Sequence, residues 1–577
     1  MRKTITGTGG MLLLQTLKDA GVEYLFTNPG SAETGIFAAL AEDGDQRLVV
    51  GKHEGLVAAM ADGYHRMSGK VGVVIAHVMG GSFQLSGQLF NAQVAGSSLL
   101  VIAGDWASEL QDSRTLSPFP GLTQAESMRS VTKEARCAYQ VATNPAAITV
   151  ATARALREAT TPPTGPVYLS ISAGLLNQEG LEAQIGEAAQ YTIERPGPAR
   201  PQTIEAIARR LGEAQCPVLI FGDDVWREGA QAEAVRLAEA LEAPVFSTRQ
   251  VFVNFPSMHP LYCGAYPVSA EFTKSTGLTP DLLFLVGCQG VHGSVAEPYV
   301  MQIGPNPLLM GRHYPLDVAA QCELRDTLRS LGEALTRLHP SEKVTGWARQ
   351  RAKVRPYARL LISREEDLVR EHEHDPIVHP SVLEAHLAQL LPRNAVTVQE
   401  SSTARTALLP FGYQGMSWTR SGGGSLGFGV GASIGAKIAV GRERPVVLHL
   451  GDGALTYSAA GFWTMARYNT AVLTIVSNNE SYQVVRTNWA REMPDSKMVR
   501  DGKYPGLYLS DPPTDYVALA RSQGVDGEAV TTLKELEPAL RRGVDKTTRE
   551  NRPYLIDVTV AREGVGADST WHQDWRL

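Results

Sequence analysis

Short, uninterrupted apolar runs, each followed by a helical stretch, constrain this chain more than any other feature. VGVVIAHV (71–78), SSLLVIAG (97–104), CPVLIFG (216–222), DLLFLVG (281–287), RPVVLHLG (444–451) and TAVLTIVS (470–477) show no polar alternation. A strand covered on both faces reads this way, because neither face meets water. Helical segments lie between them: TGTGGMLLLQTLKDAG, HEGLVAAMADGYHRMSGK, TIEAIARRLGEA, GAQAEAVRLAEALE, SVLEAHLAQLLP and AAGFWTMARYN. Strands alternating with helices predict an α/β fold of parallel sheets covered on both faces.

The pattern breaks twice. A polar, proline-containing stretch ends in ERPGPARPQ (194–202), and a highly charged stretch runs through residues 341–375. The first reads as a linker and the second as a solvated helical connection. We therefore expect three doubly wound units, at 1–185, 195–340 and 378–577, a count that suits 577 residues. The opening residues read as a first helix, since MLLL is too short for the core of a signal peptide. The net charge of −6 gives no basic excess for nucleic acid, and no apolar run is long enough to span a membrane. Cys137, Cys216, Cys263, Cys288 and Cys322 are odd in number and form no CxxC pair, so neither a disulfide framework nor a zinc site is expected. The expected location is the cytoplasm.

The chemistry concentrates at strand ends. Gly451-Asp452-Gly453 follows VVLHL, and Asn478-Asn479 follows VLTIV. One helix and one strand separate them, so a βαβ unit brings both to one sheet edge, where such sheets bind ligands. Carboxylate and amide oxygens are hard donors suited to Mg²⁺ or Ca²⁺, and Mg²⁺ keeps phosphate and water in its remaining positions. The glycines allow close backbone approach. GDG alone would more often be a turn; the pair at this spacing is not.

GDG and NN so placed, within GGGSLGFGVGASIGAKIAVGRERPVVLHLGDGALTYSAAGFWTMARYNTAVLTIVSNNESY, resemble the thiamine-diphosphate enzymes of the decarboxylase and acetolactate-synthase superfamily. The phrase GDG-x-x-x-YS-x-x-x-x-WT-x-x-x-YN is most similar to benzoylformate decarboxylase. The resemblance implies pyrimidine-binding, central and diphosphate-binding domains in that order. Asp452 and Asn479 would bind the metal with their side chains and Ser481 with its carbonyl, while Gly451 and Gly453 would line the diphosphate. Glu54, opening a helix after a strand, would be the cofactor-activating carboxylate; an acid favoured by the helix dipole is the plainer reading. Leu426 would wedge between the cofactor rings, against ordinary core packing as the alternative. Glu400, Ser401 and Ser402 would touch the diphosphate and substrate.

The same resemblance extends to the substrate end. Ser31, in FTNPGSAE, would bind the substrate carboxylate, although Asn-Pro-Gly-Ser is also strong turn chemistry. His77 would be an acid/base, against the alternative of a buried core histidine. Gln84 would line the pocket. His292 would be a second catalytic histidine, or else a surface-loop residue. His259 reads as structural, and His53 as either facing the pocket or turned away. The segments 488–506 and 564–577 depart from the resemblance and lie where this superfamily shapes its substrate mouth. Non-oxidative decarboxylation of a 2-oxo acid through a thiazolium-bound enamine is the activity implied. A carboligase or lyase acting on 2-hydroxyketones is the alternative, and a non-catalytic thiamine-diphosphate-binding subunit a remoter one. A homotetramer built as a dimer of dimers and a 2-oxo acid or aldehyde substrate are implied as well; FAD is not expected, because the central stretch shows no flavin-contact pattern.

Overall fold

Each of the long apolar runs lies in a parallel sheet. The computed structural model describes all residues except 1–2, 43–44, 106–123, 134–137, 142–143, 187–192, 194–195, 249, 289–298, 313, 340–351 and 576–577. The N-terminal unit holds β1 (Lys3–Gly7), β2 (Tyr24–Thr27), β3 (Arg47–Val50), β4 (Gly72–Ala76), β5 (Leu99–Asp105), β6 (Ala138–Val141), β7 (Val167–Ser172) and β8 (Leu181–Ile185). Six of them form one parallel sheet in the order β3-β2-β4-β5-β7-β6. Side chains alternate between its faces. Val73, Ile75, Leu100 and Ile102 pack on α1 (Gly9–Asp19), while Val74, Ala76, Val101 and Ala103 join the core around α2 (Glu54–Ser68). The helix α3 (Ser86–Ala95) follows β4.

The first residues correct the sequence reading. Lys3–Gly7 is a strand, not the start of a helix, and it pairs antiparallel with β8. The helix begins only at Gly9, after Thr8 caps it by accepting from the Met11 N–H at 3.2 Å. The pairing also turns part of the expected linker, Leu181–Ile185, into a strand.

The central unit has β9 (Pro217–Phe221), β10 (Val245–Ser247), β11 (Tyr262–Ala265), β12 (Leu282–Val286), β13 (Tyr299–Gly304) and β14 (Val318–Gln321), in the order β11-β10-β9-β12-β13-β14. The charged connection contains α4 (Val354–His372). It is not merely solvated. Val354, Tyr357 and Ala358 are buried, and the Tyr357 ring meets Phe272 edge-on at 5.1 Å. One apolar stripe on a charged helix suffices to dock it.

The C-terminal unit has β15 (Val396–Glu400), β16 (Ser417–Arg420), β17 (Val446–Gly451), β18 (Val472–Asn478), β19 (Asp526–Val530) and β20 (Tyr554–Thr559), in the order β16-β15-β17-β18-β20-β19. Its helices include α5 (Pro380–Leu390), α6 (Phe428–Val440), α7 (Gly461–Tyr468) and α8 (Gln483–Glu492). Counted within each six-stranded sheet, the N- and C-terminal sheets share one strand permutation, second-first-third-fourth-sixth-fifth. The central sheet follows a different one. Cys216, Cys263, Cys288 and Cys322 are buried and form no disulfide with one another, and Cys137 lies outside the described residues. Among the described residues no helix is long and apolar enough to cross a membrane.

The two outer units meet through α2 and α6, each following the second strand of its six-stranded sheet. Their backbones touch. A Cβ on Gly435 would lie 1.8 Å from the Met60 carbonyl oxygen, and one on Gly63 would lie 2.1 Å from that of Ala432. Gly431 meets Leu56, Ala59 and Met60, and Gly435 meets Met60 and Tyr64, so the contacts climb both helices together. The two helix N-termini therefore lie at one end.

Gly435→Ala should cost roughly 3 kcal/mol or more, because neither backbone can retreat. A thermal melt within a degree or two of the parent would contradict this packing. A second expectation concerns Glu384 on α5. Its carboxyl is pushed up from 4.5 to about 8, chiefly by burial, with the Leu408 N–H donating at 2.7 Å. A raised carboxyl keeps its proton in the folded state, so stability falls as pH climbs from the unfolded value towards about 8, then levels. Glu384→Gln removes that slope. It should gain roughly 1–3 kcal/mol over the parent at pH 8 and nothing near pH 4.5, read from melts at both values.

Candidate active site

Most of the described residues nominated by the resemblance lie at strand ends, helix N-termini and the loops beside them, on the switch-point side of the two outer sheets. In the N-terminal unit, Glu54 is the first residue of α2 and is 8% exposed in the single chain. Asn28, immediately after β2, donates to Glu54 Oε1 at 3.1 Å. His53 turns its ring to the helix: Nδ1 accepts from the Gly55 N–H at 3.0 Å, so it caps α2.

His77 follows β4 and is not a sealed core histidine, since 32% of its side chain is exposed. Nδ1 pairs with Glu33 Oε2 at 3.0 Å. Glu33 is fully buried and also accepts from the backbone N–H groups of Gly104 at 2.8 Å and Val78 at 3.4 Å. The pairing orients the ring and leaves Nε2 as the nitrogen that can exchange a proton. Val78 holds φ at +32°, a costly conformation for a β-branched residue, and it fixes the chain as it leaves the strand. Glu54 and His77 flank Gly81, whose Cβ would lie 3.1 Å from Glu54 Oε1 and 3.4 Å from His77 Cβ. Ser31 opens a short 3-10 helix and is exposed, and Gln84 is exposed at the end of the following helix. His292 lies outside the described residues. His259 bonds Glu239 at 3.3 Å and packs edge-on against Phe255, a structural placement.

Two residues that sequence reasoning missed organise this end: Asn28, which holds Glu54, and Glu33, which holds His77. Both belong to FTNPGSAE. The available signal was an acid and an amide in a segment between two buried strands, where each needs a partner.

In the C-terminal unit, Asp452 and Asn479 follow adjacent strands β17 and β18, with Gly451 opposite Ser477 in the register. Asp452 is 2% exposed, and its Oδ2 has no hydrogen-bond partner among the described residues. Burial pushes this carboxyl up to about 6. A buried, unpartnered carboxylate oxygen is costly unless something binds it. Asn479 Oδ1 accepts from the Ser481 N–H at 3.0 Å, closing the turn. A Cβ on Gly451 would meet nothing within 4 Å, so the backbone there borders open space. Gly453 differs: its Cβ would lie 2.5 Å from the Tyr482 ring, so protein already fills that side. No group of three or more His, Cys, Asp or Glu side chains converges as a metal cluster among the described residues. An Asp–Asn pair with one carbonyl would leave places for diphosphate and water, as Mg²⁺ prefers. The donor set and the open backbone fit a metal–diphosphate group.

Leu426 lies in the glycine-rich loop before α6 and is half-buried, so it is not ordinary core. Gln88 Nε2 donates to its carbonyl at 2.9 Å. Asn91, fully buried on α3, accepts from Ser421 Oγ and from the N–H groups of Gly423 and Ser425 at 2.9–3.1 Å. These two amides bolt the loop to the N-terminal unit. Glu400 turns inward: its oxygens accept from Phe428 and Gly429 N–H at 2.9 and 2.8 Å, capping α6, and burial lifts the carboxyl to about 7. Ser401 Oγ accepts from the Ala404 N–H at 3.2 Å, and Ser402 is exposed. A cavity of about 480 Å³ lies elsewhere, lined by Arg66, Lys133, Trp226, Arg227 and Phe252 among others, and none of the nominated residues borders it.

Three family models match in chain order: the thiamine pyrophosphate enzyme N-terminal TPP binding domain over 7–128, the central domain over 204–331 and the C-terminal TPP binding domain over 402–558. The chain belongs to the thiamine pyrophosphate enzyme family. It is 28% identical to benzoylformate decarboxylase of Pseudomonas aeruginosa over 568 residues, covering 94% of this chain and 97% of that one. It is 24% identical to the acetolactate synthase isozyme 3 large subunit of Escherichia coli, covering 98% of each. Among solved structures, the thiamine diphosphate-dependent 4-hydroxybenzoylformate decarboxylase of Rhodococcus jostii superposes with a TM-score of 0.77 at 25% identity, over 96% of this chain and 99% of that one. This thiamine pyrophosphate enzyme is thus a catalyst of the decarboxylase or carboligase kind.

Asp452→Asn should leave the fold intact, and the apo variant should melt at or above the parent's temperature, since an uncharged group replaces the costly carboxyl. The rise in melting temperature expected for the parent with Mg²⁺ plus thiamine diphosphate should vanish in the variant. A full-sized rise in the variant would remove Asp452 from the metal site.

Proposed function

We propose that this enzyme is a Mg²⁺-dependent, non-oxidative decarboxylase of 2-oxo acids of the benzoylformate type. The observation that carries the reading is the partly exposed His77, oriented by buried Glu33 beside Glu54. A decarboxylase must return a proton to the carbon that has lost CO₂, and imidazole suits that task near neutral pH. The identity with benzoylformate decarboxylase over nearly the whole chain supports the same substrate class.

When bound, thiamine diphosphate supplies a thiazolium that accepts the electron pair released as CO₂ departs. Asp452, Asn479 and the Ser481 carbonyl would hold Mg²⁺, with Ca²⁺ an acceptable substitute for these oxygens. Gly451 and Gly453, with Ser401 and Ser402, would border the diphosphate, and Leu426 would stand between the two rings. Glu54 would hold the aminopyrimidine, its orientation kept by Asn28. Ser31 would bind the substrate carboxylate through its hydroxyl, Gln84 would line the pocket, and His77 Nε2 would deliver the proton. We place the enzyme in the cytoplasm as a homotetramer, a dimer of dimers. We propose domain limits of 1–185, 195–340 and 378–577, each holding one six-stranded sheet.

Carboligation is the second reading, favoured by the acetolactate synthase relative and by the distinct segments 488–506 and 564–577. Product analysis separates the two. With thiamine diphosphate and Mg²⁺, the enzyme should release CO₂ and equimolar aldehyde from aromatic 2-oxo acids. Glu54→Gln should lower that rate by about 100-fold or more, as should His77→Ala. A 2-hydroxyketone in place of aldehyde would move the assignment to carboligase, and no turnover of any 2-oxo acid with cofactor bound would overturn the decarboxylase reading.

A further inference from the structure

Two consecutive residues beyond the last strand reach both loops assigned to the cofactor. Arg562 Nε donates to the Asn479 carbonyl at 2.6 Å, and its terminal nitrogen pairs with Glu480 Oε2 at 2.5 Å. Its guanidinium also lies 5.4 Å from the centre of the Tyr508 ring. Glu480 holds φ at +54°, a left-handed conformation that a residue with a Cβ adopts at a cost. Other contacts fix the same residue: Leu509 N–H donates to its carbonyl and Ser510 Oγ to its Oε1, both at 2.8 Å. The Asn479–Glu480 peptide cannot flip while Arg562 holds both its carbonyl and the following carboxylate.

Glu563 faces the opposite way. Its carboxylate accepts from His379 Nε2 at 2.9 Å and from Arg405 at 3.2 and 3.4 Å. Arg405 belongs to the stretch that carries Ser401 and Ser402, and it also pairs with Glu365 on α4 at 3.0 Å. The Glu563 carbonyl accepts from Arg486 at 3.0 Å, a guanidinium buried to 1% exposure on α8. The backbone of 562–563 thus sits between the metal loop, the 401–405 loop and the helix at the substrate mouth.

We propose that Arg562 is a positioning residue for the metal site, and that with Glu563 it sets the two cofactor loops against each other. The proposal rests on the assignment of Asp452, Asn479 and Ser481 to the metal. Arg562 touches neither metal nor substrate in this scheme; it acts by holding the Asn479–Glu480 peptide. Lysine carries the charge but lacks the planar fork that bonds two acceptors together.

The test is a binding titration of the full-length apoprotein, following thiamine diphosphate uptake by calorimetry as Mg²⁺ is raised. Arg562→Met should need about 10-fold more Mg²⁺ for half-saturation, as other residues supporting metal ligands do, and Arg562→Lys should recover part of the loss. At saturating Mg²⁺ both variants should bind the cofactor within about twofold of the parent, which a general loss of stability would not produce. Half-saturation at the parent's Mg²⁺ concentration in Arg562→Met overturns the proposal. Should that variant not fold, Arg562→Lys decides alone, and a Mg²⁺ requirement equal to the parent's overturns it. Failure of the parent itself to take up cofactor at any Mg²⁺ concentration overturns the metal assignment, and the positioning role with it.

Discussion

The backbone contact between α2 and α6 is the constraint from which the rest of the site follows. Helices usually approach to 8–10 Å, with side chains between them. Here Gly63, Gly431 and Gly435 remove those side chains and let carbonyls rest against Cα atoms. One helix begins with Glu54, and the other begins just after Leu426 with Glu400 at its cap. Close packing with the N-termini at one end fixes these groups on a common side of the molecule. The shared strand permutation of the two outer sheets makes the arrangement nearly symmetric. Asn28 and Glu400 close their first strands in the same way, each turning to the helix that follows the second strand.

The elements of the fold were legible because a doubly covered sheet leaves a strong signature. The strands through residues 72–76, 99–105, 217–221, 282–286, 446–451 and 472–478 are buried almost throughout, and each is an apolar run in the sequence. What escaped were edge and accessory pieces. β8 alternates buried and exposed residues, β1 buries none of its residues fully, and KTITG carries too few apolar groups to announce a strand. The charged helix α4 hides a narrow apolar stripe among many ionised side chains, so its docking does not show in composition.

The same contrast divides the candidate site. Asp452, Asn479 and Glu54 could be named because strand ends and helix starts are readable and a short motif spans them. Their supports could not. Asn28, Glu33, Asn91 and Arg562 act across 26, 44, 330 and 83 residues of sequence respectively, and only the folded chain brings such pairs together. Burial then decides their chemistry. Glu33 is buried and meets three donors, whereas Asp452 is buried with one oxygen unmet. The first is a completed set of hydrogen bonds, and the second is the arrangement on which the proposed metal site rests.

The packing of His77 carries a consequence for how such chains vary. A side chain at position 30 would place its Cβ 2.1 Å from the His77 ring, although Gly30 itself, with φ at −135°, sits where any amino acid is comfortable. The glycine is therefore dictated by its neighbour rather than by its own backbone. Trimming the imidazole alone would not lift the constraint, because the same Cβ would also lie 2.6 Å from the His77 Cβ. A side chain at 30 therefore needs the chain at 77 to shift as well, and the glycine should outlast the ring it accommodates.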